Sequence, residues 1–429
     1  MTSHPAGIDN RRVPKSDQLI ESPKRFADLC QHIRDVGIVA FDTEFVSESR
    51  FTPQLCLLQF NTGERAAAVD PLVVEDLSEW WELFCDPDVT VVTHGSREEV
   101  RFCLRDYGHP PESLVDVQIA QGLLGRNYPL SYKALAEKVA GVRISTHETR
   151  TDWSRRPLSA KQLRYALEDV EHLLLVWDQQ AERLEKLGRL EWAEEEFDNF
   201  VENQTRDSER DTFFKISGIQ RLSRRELAVA ERLHRWRTER AEKQDRPIKH
   251  ILRDDLLVDI ARRQPTTVDD LYATRGIQRK LNDRRAEELL VEIEAGLDVP
   301  ESDAPVIPPP PRPLGSDETL GRLLGIALSH RCSDLSVATT LVGTQSDLQK
   351  LVRHHLGDES VSPRLLEGWR AEVCGSMLED LLEGRVSIRV RDSKGRAPLV
   401  FEPVDGERAA EDRAKAKRGG RGGRRPKRS

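Results

Sequence analysis

At about 150 residues per domain, a chain of 429 residues holds two to four domains, and 33% charged against 38% apolar residues marks a charge-rich, helix-leaning soluble sequence. No apolar run approaches the roughly 18–20 residues of a spanning helix, which excludes a membrane protein, and residues 1–18 lack the apolar core of a secretory signal. The six cysteines (Cys30, Cys56, Cys85, Cys103, Cys332 and Cys374) are scattered without a C-x-x-C pair; this excludes a Cys-based zinc site and a disulfide framework and predicts a reducing, cytoplasmic setting.

The net charge of −8 is unevenly spread. The last 17 residues carry nine basic groups, from Arg413 to Arg428, and no acid; without them 57 basic residues face 74 acidic ones, a body of −17. Bulk charge therefore does not draw a polyanion to this body. If nucleic acid is the partner, local basic faces, the tail or bound cations must attract it.

In chain order, residues 1–21 read as a polar, irregular lead-in. Gly37–Phe45, Leu55–Phe60 and Ala66–Asp70 read as strands between turn-rich segments, Asp76–Cys85 as a helix and Val89–Thr93 as a further strand. Helices are predicted near Ser96–Tyr107, Val115–Leu124, Tyr132–Ala140 and Ser159–Leu187. Strands first, then a strand flanked by helices, predict an α/β domain over 22–190, a mixed sheet with helices on its faces. Apolar residues at three- and four-residue spacing in Leu222–Lys243, Arg253–Arg263, Val268–Tyr272 and Arg284–Ala295 predict an all-α domain over 218–297. Four consecutive prolines within 298–317 make a semi-rigid linker, rising roughly 3 Å per residue. A second helical domain is expected over 318–403, and the Gly/Arg tail over 404–429 has too few apolar groups to pack.

Asp42 and Glu44 stand at the end of an apolar run. In a strand, positions i and i+2 share a face, so the two carboxylates converge, and oxygen-only donors suit Mg²⁺ or Mn²⁺. Tyr165 and Asp169, four apart in a helical run, also share a face. Between them, Glu98 and Glu99 fall in the first turn of the helix that follows Val91–Thr93, where carboxylates also simply favour the helix dipole. Asp116 is a further candidate. Each feature has a plain alternative: D-x-E arises by chance, and a Tyr with an Asp one turn on can be a core edge beside a solvated acid. Trp153 and His94 read as structural, and Trp80-Trp81 as one buried ring and one at the surface.

Taken together, Asp42-Thr-Glu44, a helix acid near residue 98 and Tyr165-x-x-x-Asp169 resemble the DEDD superfamily of 3′–5′ exonucleases, in its tyrosine subgroup. Phe41-Asp-Thr-Glu-Phe-Val46, Pro53-Gln-Leu55 and Arg150-Thr-Asp-Trp-Ser-Arg-Arg-Pro-Leu158 resemble the ribonuclease D family in particular. Leu222–Ala295 is similar to an HRDC helical domain through Leu227, Leu233, Trp236, Arg237, Pro247, Asp255, Leu256, Pro265, Leu271, Arg275 and Gly276, and the last module resembles a more diverged HRDC domain.

The resemblance implies a ribonuclease H-like exonuclease fold and hydrolysis at a free RNA 3′ end with two divalent ions, Mg²⁺ or Mn²⁺, held by Asp42, Glu44, Glu98 and Asp169. Tyr165 would orient the attacking water. Nucleoside 5′-monophosphates would be released, with tRNA precursors the expected substrates. The family's second motif usually presents an Asp; alignment on Gly95-Ser96 puts Glu98 there, with Glu99 and Asp116 as alternatives. Arg150, Arg155, Arg156 and Arg164 could track phosphates and Phe51 could stack on a base. Two rival readings stand beside this one: a DNA-directed 3′–5′ exonuclease, and a non-catalytic RNA-binding protein on a degenerate scaffold, which Glu98 encourages. The oligomeric state is open.

Overall fold

The structure, a computed structural model, describes residues 15–144, 151–209, 212–277, 283–307, 317–394 and 398–404. The proline run, the basic tail and Arg150 lie outside the described residues. Six strands, β1 (Lys15–Ile20), β2 (Ile38–Val46), β3 (Gln54–Asn61), β4 (Arg65–Val69), β5 (Thr90–Thr93) and β6 (Leu114–Asp116), form one sheet in the order β1-β4-β3-β2-β5-β6. β3 runs antiparallel to β2 and β4, while the β1–β4, β2–β5 and β5–β6 pairs are parallel.

Alternation along β2 sorts the two faces. Val39 and Phe41 face the core under α1 (Pro23–Val36) and α2 (Ser78–Phe84), where Phe41 lies 5.2 Å from Phe60 and 4.5 Å from Trp80 between ring centroids. Trp80 and Trp81 are both buried there, so neither ring is at the surface. Ala40 turns to the opposite face, toward the core of α4 (Val117–Leu124), α5 (Tyr132–Ala140) and α7 (Leu173–Lys186). Asp42 and Glu44 follow in the same phase.

Three elements differ from their sequence expectation. Residues 15–20, expected to be irregular, form the edge strand β1, where a backbone ladder on one side suffices and only Leu19 and Ile20 are apolar. β6 precedes α4 because Asp116 caps that helix, accepting from the Gln118 N–H. The expected single helix from Ser159 to Leu187 breaks at His172 into α6 (Ala160–Glu171) and α7, and the His172 N–H, released from the helical ladder, donates to the Tyr132 hydroxyl at 3.1 Å. α3 (Arg97–Asp106) and α8 (Leu190–Glu209) complete this part of the fold.

The helices that follow are attached in two ways. α9 (Arg224–Lys243), α10 (Ile248–Ile251), α11 (Asp254–Arg263), α12 (Val268–Tyr272) and α13 (Asp283–Leu297) enclose their own core around Leu233, Leu257, Ile260 and Leu289. The last unit comprises α14 (Asp317–Leu335), α15 (Thr339–Val342), α16 (Gln345–His355), α17 (Gly368–Arg370) and α18 (Ser376–Leu382), then a hairpin of β7 (Val386–Val390) and β8 (Leu399–Pro403). Its core is continuous with that of α4, α5 and α7. Gly122 permits this approach, since a Cβ there would meet Leu341 Cδ2 at 2.8 Å, and its carbonyl accepts from the Ala338 N–H at 2.8 Å. Across the same seam the buried Arg370 pairs with Glu196 of α8 at 2.6 Å. No helix of the described residues is long and apolar enough to cross a membrane.

Removing one partner of a buried ion pair strands the other. Arg370→Ala is therefore expected to lower the unfolding free energy by about 3–5 kcal/mol in urea titrations, whereas the double change Arg370→Met with Glu196→Leu recovers most of that loss.

Candidate active site

β5 pairs with β2 only as far as Ala40, opposite Val92. Asp42, Thr43 and Glu44 thus run past the end of β5, and the helix after β5 approaches them there. On the other side, Asp42 opposes Gln59 and Glu44 opposes Leu57, after which Cys56 is left unopposed in a bulge. α6 packs over this face through Ala166, with Leu158 just ahead of the helix, against Leu57 and Cys56. Ser159 starts α6 with a reciprocal cap shared with Gln162, which fixes the helix phase. That phase turns Tyr165 and Asp169 toward the strand, with the phenol hydrogen-bonded to the Asp169 carboxylate.

Of the two acids in the first turn of α3, Glu99 is the one that faces the cluster. Glu99 is buried and accepts a hydrogen bond from the Thr43 hydroxyl at 2.6 Å, beside Asp42. Glu98, the residue expected from the Gly95-Ser96 alignment, turns outward and takes Arg101 Nη1 at 2.9 Å. Helical phase explains the difference: Glu99 shares a stripe with Phe102 and Cys103, three and four residues on, whereas Glu98 shares its side with Arg101. Asp116 is outside the cluster. Its buried carboxylate accepts from the Gly95 N–H at 3.0 Å, the Ser96 N–H at 3.1 Å and the Ser96 hydroxyl at 3.2 Å, fixing the turn that launches α3. Gly95 takes a left-handed φ of +75° in that turn.

Electrostatics mark the cluster as deficient in positive charge. Burial, then repulsion from Glu99, Asp169 and Glu44, raises Asp42 well above the carboxylate range. Burial, then Asp169 and Glu99, raises Glu44 to about 8. Burial raises Glu99 to about 7 and Asp169 to about 7, the latter against the lowering effect of the Tyr165 hydrogen bond. Burial and the neighbouring Asp169 and Glu44 also push the Tyr165 phenol upward. Among the described residues these acids are not already gathered into a coordination cage. Their all-oxygen donors and mutual repulsion nonetheless fit hard divalent cations, which would draw them together.

The residues expected to touch substrate diverge. Arg156 is engaged within the protein: its guanidinium pairs with the fully buried Asp70 and donates to the carbonyls of Cys56 at 2.7 Å and Trp153 at 2.8 Å, closing the bulge beside Glu44. Arg155 is exposed and pairs with Asp152 at 3.1 Å, and Arg164 is exposed on α6. Phe51 is half-buried in the loop after β2, where its N–H donates to Asp245 at 3.2 Å. Trp153 is buried against Tyr165, and His94 bonds the Leu130 carbonyl at 2.9 Å.

A mixed sheet with converging acids at the end of β2 and a Tyr-Asp helix across them defines a 3′–5′ exonuclease, and residues 18–185 match the family model of that description. Residues 226–293 match the HRDC domain model. Ribonuclease D of Bartonella henselae is 30% identical over 366 residues, 84% of this chain and 89% of that protein. Ribonuclease D of Pseudomonas paraeruginosa is 32% identical over 368 residues, covering 85% and 97%. The crystal structure of Escherichia coli RNase D, described as an exoribonuclease involved in structured RNA processing, superposes with a TM-score of 0.76 at 27% identity, covering 85% of this chain and 98% of that one. The chain belongs to the ribonuclease D family and is a hydrolytic 3′–5′ exoribonuclease; this exonuclease class depends on divalent metal.

Glu99→Gln is expected to lower kcat by more than a hundredfold, since even residues behind a metal ligand are worth about 10–100-fold, while Glu98→Gln stays within about twofold. Steady-state kinetics of the two variants checks this. A pH dependence also follows. The folded, metal-free protein keeps protons on Glu44, Glu99 and Asp169 that the unfolded chain releases near pH 4, so this stabilisation is full below about pH 4 and is lost as pH rises through about 7–8. Thermal melts in EDTA are expected to show Tm falling from pH 5 to pH 8, with a shallower slope in Asp42→Asn and recovery on adding Mg²⁺.

Proposed function

We propose that the chain trims RNA 3′ ends, those of tRNA precursors among them, by hydrolysing the terminal phosphodiester and releasing nucleoside 5′-monophosphates. The observation that carries this reading is the convergence of Asp42, Glu44, Glu99 and Asp169 with Tyr165 at one strand end. These four acids would hold two divalent ions, Mg²⁺ or Mn²⁺, which supply Lewis-acid activation of water and neutralise charge at the leaving oxygen. Tyr165, its phenol pushed above the usual range, stays protonated at neutral pH and orients the attacking water by hydrogen bond rather than taking its proton. Asp169 accepts from that phenol and so fixes its direction. The non-catalytic reading loses its motive, because Glu98 is not the residue that faces the cluster.

Incubation with a 3′-extended tRNA precursor and Mg²⁺ is expected to give stepwise shortening from the 3′ end, absent with EDTA and in Asp42→Ala. Retained RNA binding without shortening in Mg²⁺ or Mn²⁺ overturns the proposal.

A further inference from the structure

An acidic protein that shortens RNA must grip the strand behind the reacting end somewhere. The loop of residues 47–53 leaves β2 directly beyond Glu44 and meets α9 and α10 across a cleft of about 360 Å³. Its walls include Arg50 and Phe51 from the loop, Lys215, and Pro247, Ile248 and Lys249 from the start of α10.

We propose that this cleft seats the RNA strand just upstream of its 3′ terminus, with a base against Phe51 and phosphates at Lys249 and Arg50. The proposal rests on the exoribonuclease reading of the carboxylate site. Phe51 is seven residues beyond Glu44, so it lies at most ~25 Å of extended chain from the site, within reach of a strand whose end is being cleaved. Phe51, Pro247 and Ile248 are half-buried, offering an apolar surface for a base, and stacking of this kind tolerates any sequence.

The charge pattern agrees. Residues 246–253 hold Arg246, Lys249 and Arg253 and no carboxylate, a local excess of positive charge in a body of −17. Lys249 is exposed on the cleft wall. Arg50 pairs with Asp245 at 3.2 Å and Lys215 with Asp207 at 3.0 Å. Arg50 and Asp245 are both substantially exposed, and a pair of that kind is worth about 1 kcal/mol or less, so a phosphate can replace Asp245 at the guanidinium. Asp254 also lines the cleft and repels phosphate, but it is engaged by Arg237 at 2.7 Å, which leaves the Lys249 side as the phosphate path. The loop is already held in place by the Phe51 N–H bond to Asp245.

The test uses the full chain and a single-stranded RNA with 4-thiouridine placed singly at each of its five 3′-terminal positions. After irradiation in EDTA, an internal position is expected to crosslink to a peptide containing Phe51 or residues 246–253. In kinetics with Mg²⁺, Lys249→Glu is expected to lower the ratio of kcat/KM for a 12-nucleotide RNA to that for a dinucleotide roughly tenfold. Crosslinks confined to other peptides, or an unchanged ratio, overturn the cleft. A wild-type protein that crosslinks at the cleft but hydrolyses neither substrate supports the cleft and refutes the catalytic reading. One that hydrolyses both without a cleft crosslink does the reverse.

Discussion

Four carboxylates share one poorly solvated corner of this molecule, and their repulsion is the constraint to which the rest of the exonuclease unit answers. Left free, such groups would separate or stay protonated; their raised pKa values express that tension. Each acid is therefore fixed by a different rigid element. The aromatic cluster of Phe41, Phe60, Trp80 and Phe84 holds β2 from below. The bulge after Glu44 is closed by Arg156, itself locked to the buried Asp70. The turn before Glu99 is fixed by Asp116, and the phase of α6 by the Ser159 cap. The surroundings supply rigidity, and a divalent cation would supply the missing positive charge.

What was legible in the sequence follows from range. Asp42 with Glu44, and Tyr165 with Asp169, converge through periods of two and four residues, which a sequence states directly. Glu99 was obscured by register. Counting from Gly95-Ser96 selects its neighbour Glu98, whereas the apolar stripe of Phe102 and Cys103 selects Glu99, and packing obeys the stripe. The setting of Arg156 is not legible locally because its partners, Asp70 and the Cys56 carbonyl, lie 86 and 100 residues away, and a basic cluster looks the same whether it meets phosphate or a buried acid. The strand β1 went unrecognised since an edge strand of mostly polar residues carries almost no period-two signal.

The two helical units contribute differently because they are fastened differently. The C-terminal unit shares a core with α4 and α7 and adds a buried ion pair, so it moves with the exonuclease unit. The first helical unit has its own core and meets the nuclease loop through Arg50, Phe51 and Asp245. Exposed polar links of this kind cost little to rearrange. Such a unit can shift against the active site without disturbing the carboxylates, which suits a wall that must accommodate strands of different sequence and structure.

Attraction of RNA to so acidic a protein then divides between short and long range. The acids at the end of β2 would repel a phosphate until cations neutralised them, so on the proposed reading chemistry and local binding would depend on the same ions. Farther out, basic stretches include residues 246–253 beside the loop after β2 and the nine cations of the last 17 residues. Contacts of either stretch with RNA would be to the backbone, without reading bases, and would weaken with salt. Placing selectivity in the availability of a 3′ end rather than in sequence is the expected outcome of that arrangement: the backbone is what the cations would hold, and the terminal phosphodiester is what the carboxylates would surround.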